Sequence, residues 1–147
     1  MNTALSALVL LVACEKASRP PGLGPYADRV PVHGALVEEC GLSSTGPTCV
    51  LVILDADKHE LRFHPFSAHL DAPAAHTKVL TPARSAELFS LAKRVLATGN
   101  PAASTATDFS LHLAISDGSE TLLVEVGGQF TDPAANELVT ELISATE

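Results

Sequence analysis

The sequence predicts an α+β domain, an antiparallel sheet of four to five strands with two helices packed on one face, spanning residues 32–147. Three observations carry this expectation. Thr48-Cys49-Val50-Leu51-Val52-Ile53-Leu54 and Phe109-Ser110-Leu111-His112-Leu113-Ala114-Ile115 read as strands, each followed across a short polar turn by a second strand-like segment. Two further segments repeat apolar residues at helical spacing, each opening on a capping residue followed by proline. The resulting order of strand, hairpin, helix, hairpin, helix gives every hairpin a helix to cover it.

The first strand is placed at Val32-His33-Gly34-Ala35-Leu36-Val37. The run Thr48 to Leu54 is apolar on both faces, as an interior strand covered from two sides would be. A turn centred on Asp57-Lys58 joins it to His59-Glu60-Leu61-Arg62-Phe63, and pairs Leu54 with Leu61 and Val52 with Phe63 on one face. From His64 to Leu80 run 17 residues with no convincing element, a length that implies either a role or a strand without periodicity. Thr81 then caps the first helix, with Pro82 at its first position, a stripe of Leu88, Leu91, Ala92, Val95 and Leu96, and Gly99 as the stop. In the second hairpin Asp117-Gly118 is a type I′ turn signal that pairs Leu113 with Leu122, Leu111 with Val124 and Phe109 with Val126. Asp132 and Pro133 open the second helix, which carries Leu138, Val139, Leu142 and Ile143. The apolar face switches parity between the hairpins, so they do not form a sequence repeat.

Composition narrows the possible partners. The net charge of −8 owes nothing to residues 1–14, which contain no Asp, Glu, Lys or Arg, so the domain itself is acidic. An acidic surface is repelled by phosphate backbones and anionic headgroups, which excludes nucleic acid as a partner. With five Phe, one Tyr and no Trp, the core must be built from Leu, Val, Ile and Ala, and stacking platforms for sugars or bases are not expected.

The amino terminus carries an address. Leu5 to Ala13 is an uncharged apolar run of nine residues, too short to cross a bilayer as a helix. It ends in Leu11-Val12-Ala13-Cys14, which resembles the lipobox of bacterial lipoproteins. The resemblance implies that residues 1–13 are a signal peptide cut before Cys14, and that Cys14 carries a diacylglyceryl group and often a further acyl chain such as palmitate. The n-region Met1-Asn2-Thr3-Ala4 departs from the pattern in having no Lys or Arg. Two or three acyl chains, at about 0.8 kcal/mol per buried CH₂, would anchor the chain to a membrane stably. Residues 14–31 follow as a tether, with Pro20, Pro21, Pro25, Pro31, Gly22 and Gly24 and no periodicity. The expected location is the cell envelope. Glu15, in place of the Asp that retains lipoproteins at the inner membrane, favours the outer one.

Cys40 and Cys49 close the first strand and open the second. In an exported domain they are expected to form a disulfide, worth about 2.5–3 kcal/mol for so short a loop. In a reduced compartment Cys49 would simply be core. Cys40 with Gly46-Pro47-Thr48-Cys49 and the elements that follow also resembles an uncharacterised group of small bacterial domains, often lipoproteins. That resemblance covers residues 36–146 and implies a fold without an activity.

Candidate chemistry is sparse. His59, His64, His69 and His76, with Asp71, are competent zinc or copper ligands in one segment, and His64, His69, Asp71 and His76 form the candidate metal set, although spacings of five, five and seven match no standard site. No Gly-x-Ser-x-Gly elbow or phosphate loop occurs. Glu38 and Glu39 point to opposite faces of a strand and are read as solvated. No catalytic residue and no cofactor are assigned. The leading expectation is a non-enzymatic, lipid-anchored module that binds an envelope protein through a strand edge or the long loop. The alternative is a metal or small-ligand binder using residues 59–76.

Overall fold

The computed structural model describes residues 29–44, 46–65, 76–105 and 108–147. The expected signal peptide, Cys14 and all of the expected tether before Arg29 lie outside the described residues, as do His69 and Asp71.

The chain forms an α+β fold with one six-stranded antiparallel sheet and two helices. The strands are β1 (His33–Ser43), β2 (Gly46–Asp55), β3 (Glu60–Pro65), β4 (His76–Val79), β5 (Phe109–Asp117) and β6 (Thr121–Val126), ordered β4-β3-β2-β1-β5-β6. Helix α1 (Pro82–Thr98) connects β4 at one edge to β5 beside β1, and α2 (Pro133–Ser144) follows β6. The sheet thus has one strand more than the upper expectation. The additional strand is β4, inside the stretch from His64 to Leu80. All four of its residues are exposed, so no apolar alternation marks it in the sequence. It is held by its ladder to β3 and by the Leu80 N–H donating to the His59 carbonyl at 2.7 Å.

β1 lies at the centre and runs six residues beyond Val37, with Ala35, Leu36 and Val37 fully buried. Gly34 begins this stretch because any Cβ there would run into the Leu54 carbonyl oxygen across the ladder. β2 is an interior strand with Leu51 to Leu54 all buried, as its two-sided apolar run requires. The first hairpin has the expected register, Leu54 opposite Leu61 and Val52 opposite Phe63.

The second hairpin does not. Leu113 pairs with Val124 and Leu111 with Val126, a slip of two residues from the expectation. The cause is the Asp117 side chain. Its Oδ1 accepts from the Ser119 and Glu120 backbone N–H groups at 2.9 and 2.8 Å and from the Ser119 hydroxyl at 2.9 Å. These donors hold its carboxyl below the usual carboxylate range. Asp117 therefore precedes the turn, and the two central residues become Gly118, with φ +90°, and Ser119. Because the slip is two residues, each side chain keeps its face.

Both helices open on the caps that the sequence specifies. Thr81 accepts from the Arg84 N–H at 3.2 Å and Asp132 from the Ala135 N–H at 2.9 Å. Gly99 stops α1 at φ +81°. Cross-strand partners place Ala35, Val37, Val52, Leu54, Leu61, Leu111, Leu113 and Ile115 on one face, where both helices pack over them in a single cluster with Leu88, Val95, Leu138 and Leu142. Arg84 ties the helices by pairing with Glu141, while Arg94 pairs with Glu137. Among the described residues no helix is long and apolar enough to cross a membrane.

Candidate functional site

Alternation along β1 sends Glu38 and Glu39 to opposite faces, and each becomes the centre of a distinct polar site. Neither is simply solvated, as the sequence suggested.

Glu38 is 4% exposed and lies on the face away from the helices. Register places Glu38 opposite His112 on β5, and His112 opposite Glu125 on β6. On the other side, Glu38 faces Leu51, which faces His64. One row across the sheet therefore reads Glu125, His112, Glu38, Leu51, His64. The His112 Nδ1 is 3.5 Å from Glu38 Oε1, and its Nε2 is 3.3 Å from Glu125 Oε1. The Glu38 carboxylate raises the His112 pKa above the usual imidazole value, against the opposing effect of burial and with help from Glu125. In the next row Cys40 pairs with Cys49, and the two form a disulfide with Cα atoms 4.1 Å apart. Glu38 Oε1 lies 3.5 Å from the Cys40 sulfur. In the row on the other side of Glu38, Leu36, Ile53 and Ala114 join Leu51 in a small apolar cluster with Val30 and Leu123 against it.

Glu39 projects to the helix side and lines a cleft of about 260 Å³ between α2 and the ends of β1 and β5. Phe109 and Phe130 supply its aromatic wall, and Gln129, Asn136 and Thr140 add amides and a hydroxyl. Ile143 and Ser144 bring in the last turn of α2, the end at which the helix dipole is negative. Burial pushes the Glu39 carboxyl up from its ordinary value. Among the described residues, Glu39 is the one ionisable group that lines the cleft. The last third of the chain, which supplies most of the lining, is acidic as well. No Lys or Arg follows Arg94, whereas eight of the 17 carboxylates do, so the whole net charge of −8 belongs to residues 95–147.

Of the expected histidine set, the described members His64 and His76 are not brought together. His64 is buried on the face away from the helices, and burial lowers its pKa, aided by Arg29 and Arg62. His76 pairs with Phe63 in the ladder and stacks on its ring at 4.7 Å, which puts it on the other face. The two cannot share an ion. His59 sits in the turn before β3 at φ +54°, with its Nδ1 buried and without a hydrogen bond. Among the described residues the one group whose ligand atoms converge is Glu38, Cys40 and Cys49, all within 4.8 Å of one another.

His112 and Glu125 escaped the sequence reading through the slipped register. In the expected pairing His112 faces Leu123, and only the Gly118-Ser119 turn brings it to Glu125. The signal that would have found them is the Asp117 side chain, which favours accepting from residues two and three ahead. No protein-family model matches this chain. No curated protein matches it either.

Proposed function

We propose that the chain is a lipid-anchored cell-envelope protein without catalytic chemistry, which binds a basic segment of another envelope protein by taking a Lys or Arg side chain into the cleft at Glu39. The observation that carries this reading is the composition of that cleft: a half-buried carboxylate, two phenyl rings and a helix C-terminus, with no cation among the described residues that line it. An ammonium or guanidinium entering it gains a charge-assisted contact, a favourable dipole and ring faces together. The negative charge of residues 95–147 would steer a basic partner towards this end of the molecule. The lipobox resemblance at Leu11-Val12-Ala13-Cys14 supplies the anchor. The tether of residues 14–31 would then hold the domain roughly 20–25 Å from the membrane surface if flexible.

Two measurements test the reading. Fluorescent peptides containing Lys or Arg should bind the full chain in low salt, acidic peptides should not, and Glu39→Gln should weaken binding about tenfold, the equivalent of one buried ionic contact of about 1.4 kcal/mol. Equal affinity of the variant and the parent would remove the cleft from the reading. Intact-mass analysis of the membrane fraction should show a chain beginning at Cys14 with acyl mass. An unprocessed Met1 chain would overturn the anchor and leave the cleft to be judged on the peptide data alone.

A further inference from the structure

We propose that Cys40, Cys49, Glu38 and His112 form a metal site that opens when the disulfide is reduced and takes one divalent ion of zinc type. The fold assembles the four donors around its central strand. β1 supplies Glu38 and Cys40, two residues apart and so on one face. β2 places Cys49 opposite Cys40, and β5 places His112 opposite Glu38. Two sulfurs, one imidazole nitrogen and one carboxylate oxygen are a donor set suited to zinc.

The spacing fits the ion. Zinc bonds of about 2.3 Å to sulfur and about 2.0–2.1 Å to nitrogen or oxygen set tetrahedral donor-to-donor distances of about 3.3–3.8 Å. Glu38 Oε1 stands 3.5 Å from the Cys40 sulfur and 3.5 Å from His112 Nδ1, both inside that range. The two sulfurs are too close, because they are covalently joined, and His112 stands outside the group that converges within 4.8 Å, so its ring must move towards the sulfurs as the disulfide opens. The outer contact is also in place. Glu125 lies 3.3 Å from His112 Nε2, the ring nitrogen pointing away from Glu38, where a carboxylate would orient the ring and leave Nδ1 for the metal.

Opening the site requires two electrons and two protons. A dithiol supplies both, breaking the Cys40–Cys49 bond and closing its own cyclic disulfide. As the two zinc–sulfur bonds form, the two thiol protons pass to water. Oxidation by a disulfide of the same class reverses the sequence and releases the ion.

The test uses the full chain in its two redox states, with Zn²⁺ counted by native mass spectrometry and Co²⁺ as the spectroscopic probe. The reduced chain should take up about one Zn²⁺ that the disulfide form does not. With Co²⁺ it should show sulfur-to-metal charge-transfer bands and the intense visible bands of a tetrahedral site. His112→Ala and Glu38→Gln should each weaken Zn²⁺ binding at least tenfold, since even loss of a contact behind a ligand costs about 10–100-fold. Circular dichroism reads the fold of each sample. A reduced chain that is unfolded alone but refolds with Zn²⁺ supports the site. One that stays unfolded with the metal, or that is folded and binds no more than the disulfide form, overturns it. Unchanged affinity in both His112→Ala and Glu38→Gln would also overturn the four-donor assignment.

Discussion

The two faces of the sheet are made by the same strands and differ in almost every other respect. Beneath the helices, Ala35, Val37, Val52, Leu54, Leu113 and Ile115 belong to one continuous core, of 19 buried apolar residues among those described. On the other face, among the described residues, Leu36, Leu51, Ile53 and Ala114 alone form a buried apolar cluster, and the same face holds Glu38, His112, His64 and the disulfide. β1 shows the division in miniature: Ala35 and Val37 point one way, Leu36, Glu38 and Cys40 the other. The difference teaches that stability and chemistry are separated by strand parity. The helix face supplies the apolar burial, and the opposite face can afford buried ionisable groups because ion pairing and a covalent link offset their cost.

The largest expected effect measures that separation directly. Leu113 and Leu36 are both fully buried, on opposite faces of adjacent strands. Leu113→Ala should cost about 3–4 kcal/mol in chemical denaturation, since the packed helices cannot collapse onto the cavity. Leu36→Ala should fall near the lower end of the usual range, about 2–3 kcal/mol, because fewer apolar neighbours surround it. A larger loss at Leu36 than at Leu113 would break the comparison.

Next in size is the covalent link. Replacing Cys40 and Cys49 together by Ala removes a cross-link between residues nine apart in sequence and should lower stability by about 2.5–3 kcal/mol. The denaturant slope should rise as well, because the unfolded chain is no longer tied and exposes more surface. A loss under about 1 kcal/mol would show that the polar face does not depend on its cross-link in the way an unfolded-state constraint requires.

How far each face was legible in the sequence follows from the same separation. Helix caps at Thr81 and Asp132, the α1 stripe and the Leu54–Leu61 register are local or periodic, and the folded chain keeps all of them. β4 left no trace because His76 to Val79 are all exposed, so its pairing with β3 is set by the ladder and by Phe63 against His76, not by alternation. The Glu38, His112 and Glu125 row depends on three strands in register, two of them some 70 residues apart, and no local pattern encodes such a distance. Glu39 was read as solvated because a carboxylate on a strand usually is, and its cleft exists only once α2 folds back over β1 and β5. The disulfide was legible from the cysteine count together with the expected exported location.

The smallest expected effect is a pH dependence on the polar face. His64 is 7% exposed, and its pKa is held below the ordinary imidazole value chiefly by burial, then by the positive charges of Arg29 and Arg62. Above the unfolded imidazole value, about 6.5, both states carry a neutral ring and His64 contributes nothing to the dependence. As pH falls through that value the unfolded chain takes the proton first, so stability declines until the folded ring also protonates. The stability that His64 contributes should therefore fall as pH drops from 7.5 to 5, read as the difference in denaturation midpoint between the parent and His64→Leu. The neighbouring His112 titrates with the opposite sign, because Glu38 favours its charged form. Its contribution is full below about pH 6.5 and is lost as pH rises through its own raised value. The two imidazoles thus act in adjoining windows, and the difference curve between parent and His64→Leu isolates the lower one. A difference curve that is flat from pH 7.5 to 5 would mean that the His64 ring, despite its burial, meets the proton as readily in the folded chain as in the unfolded one.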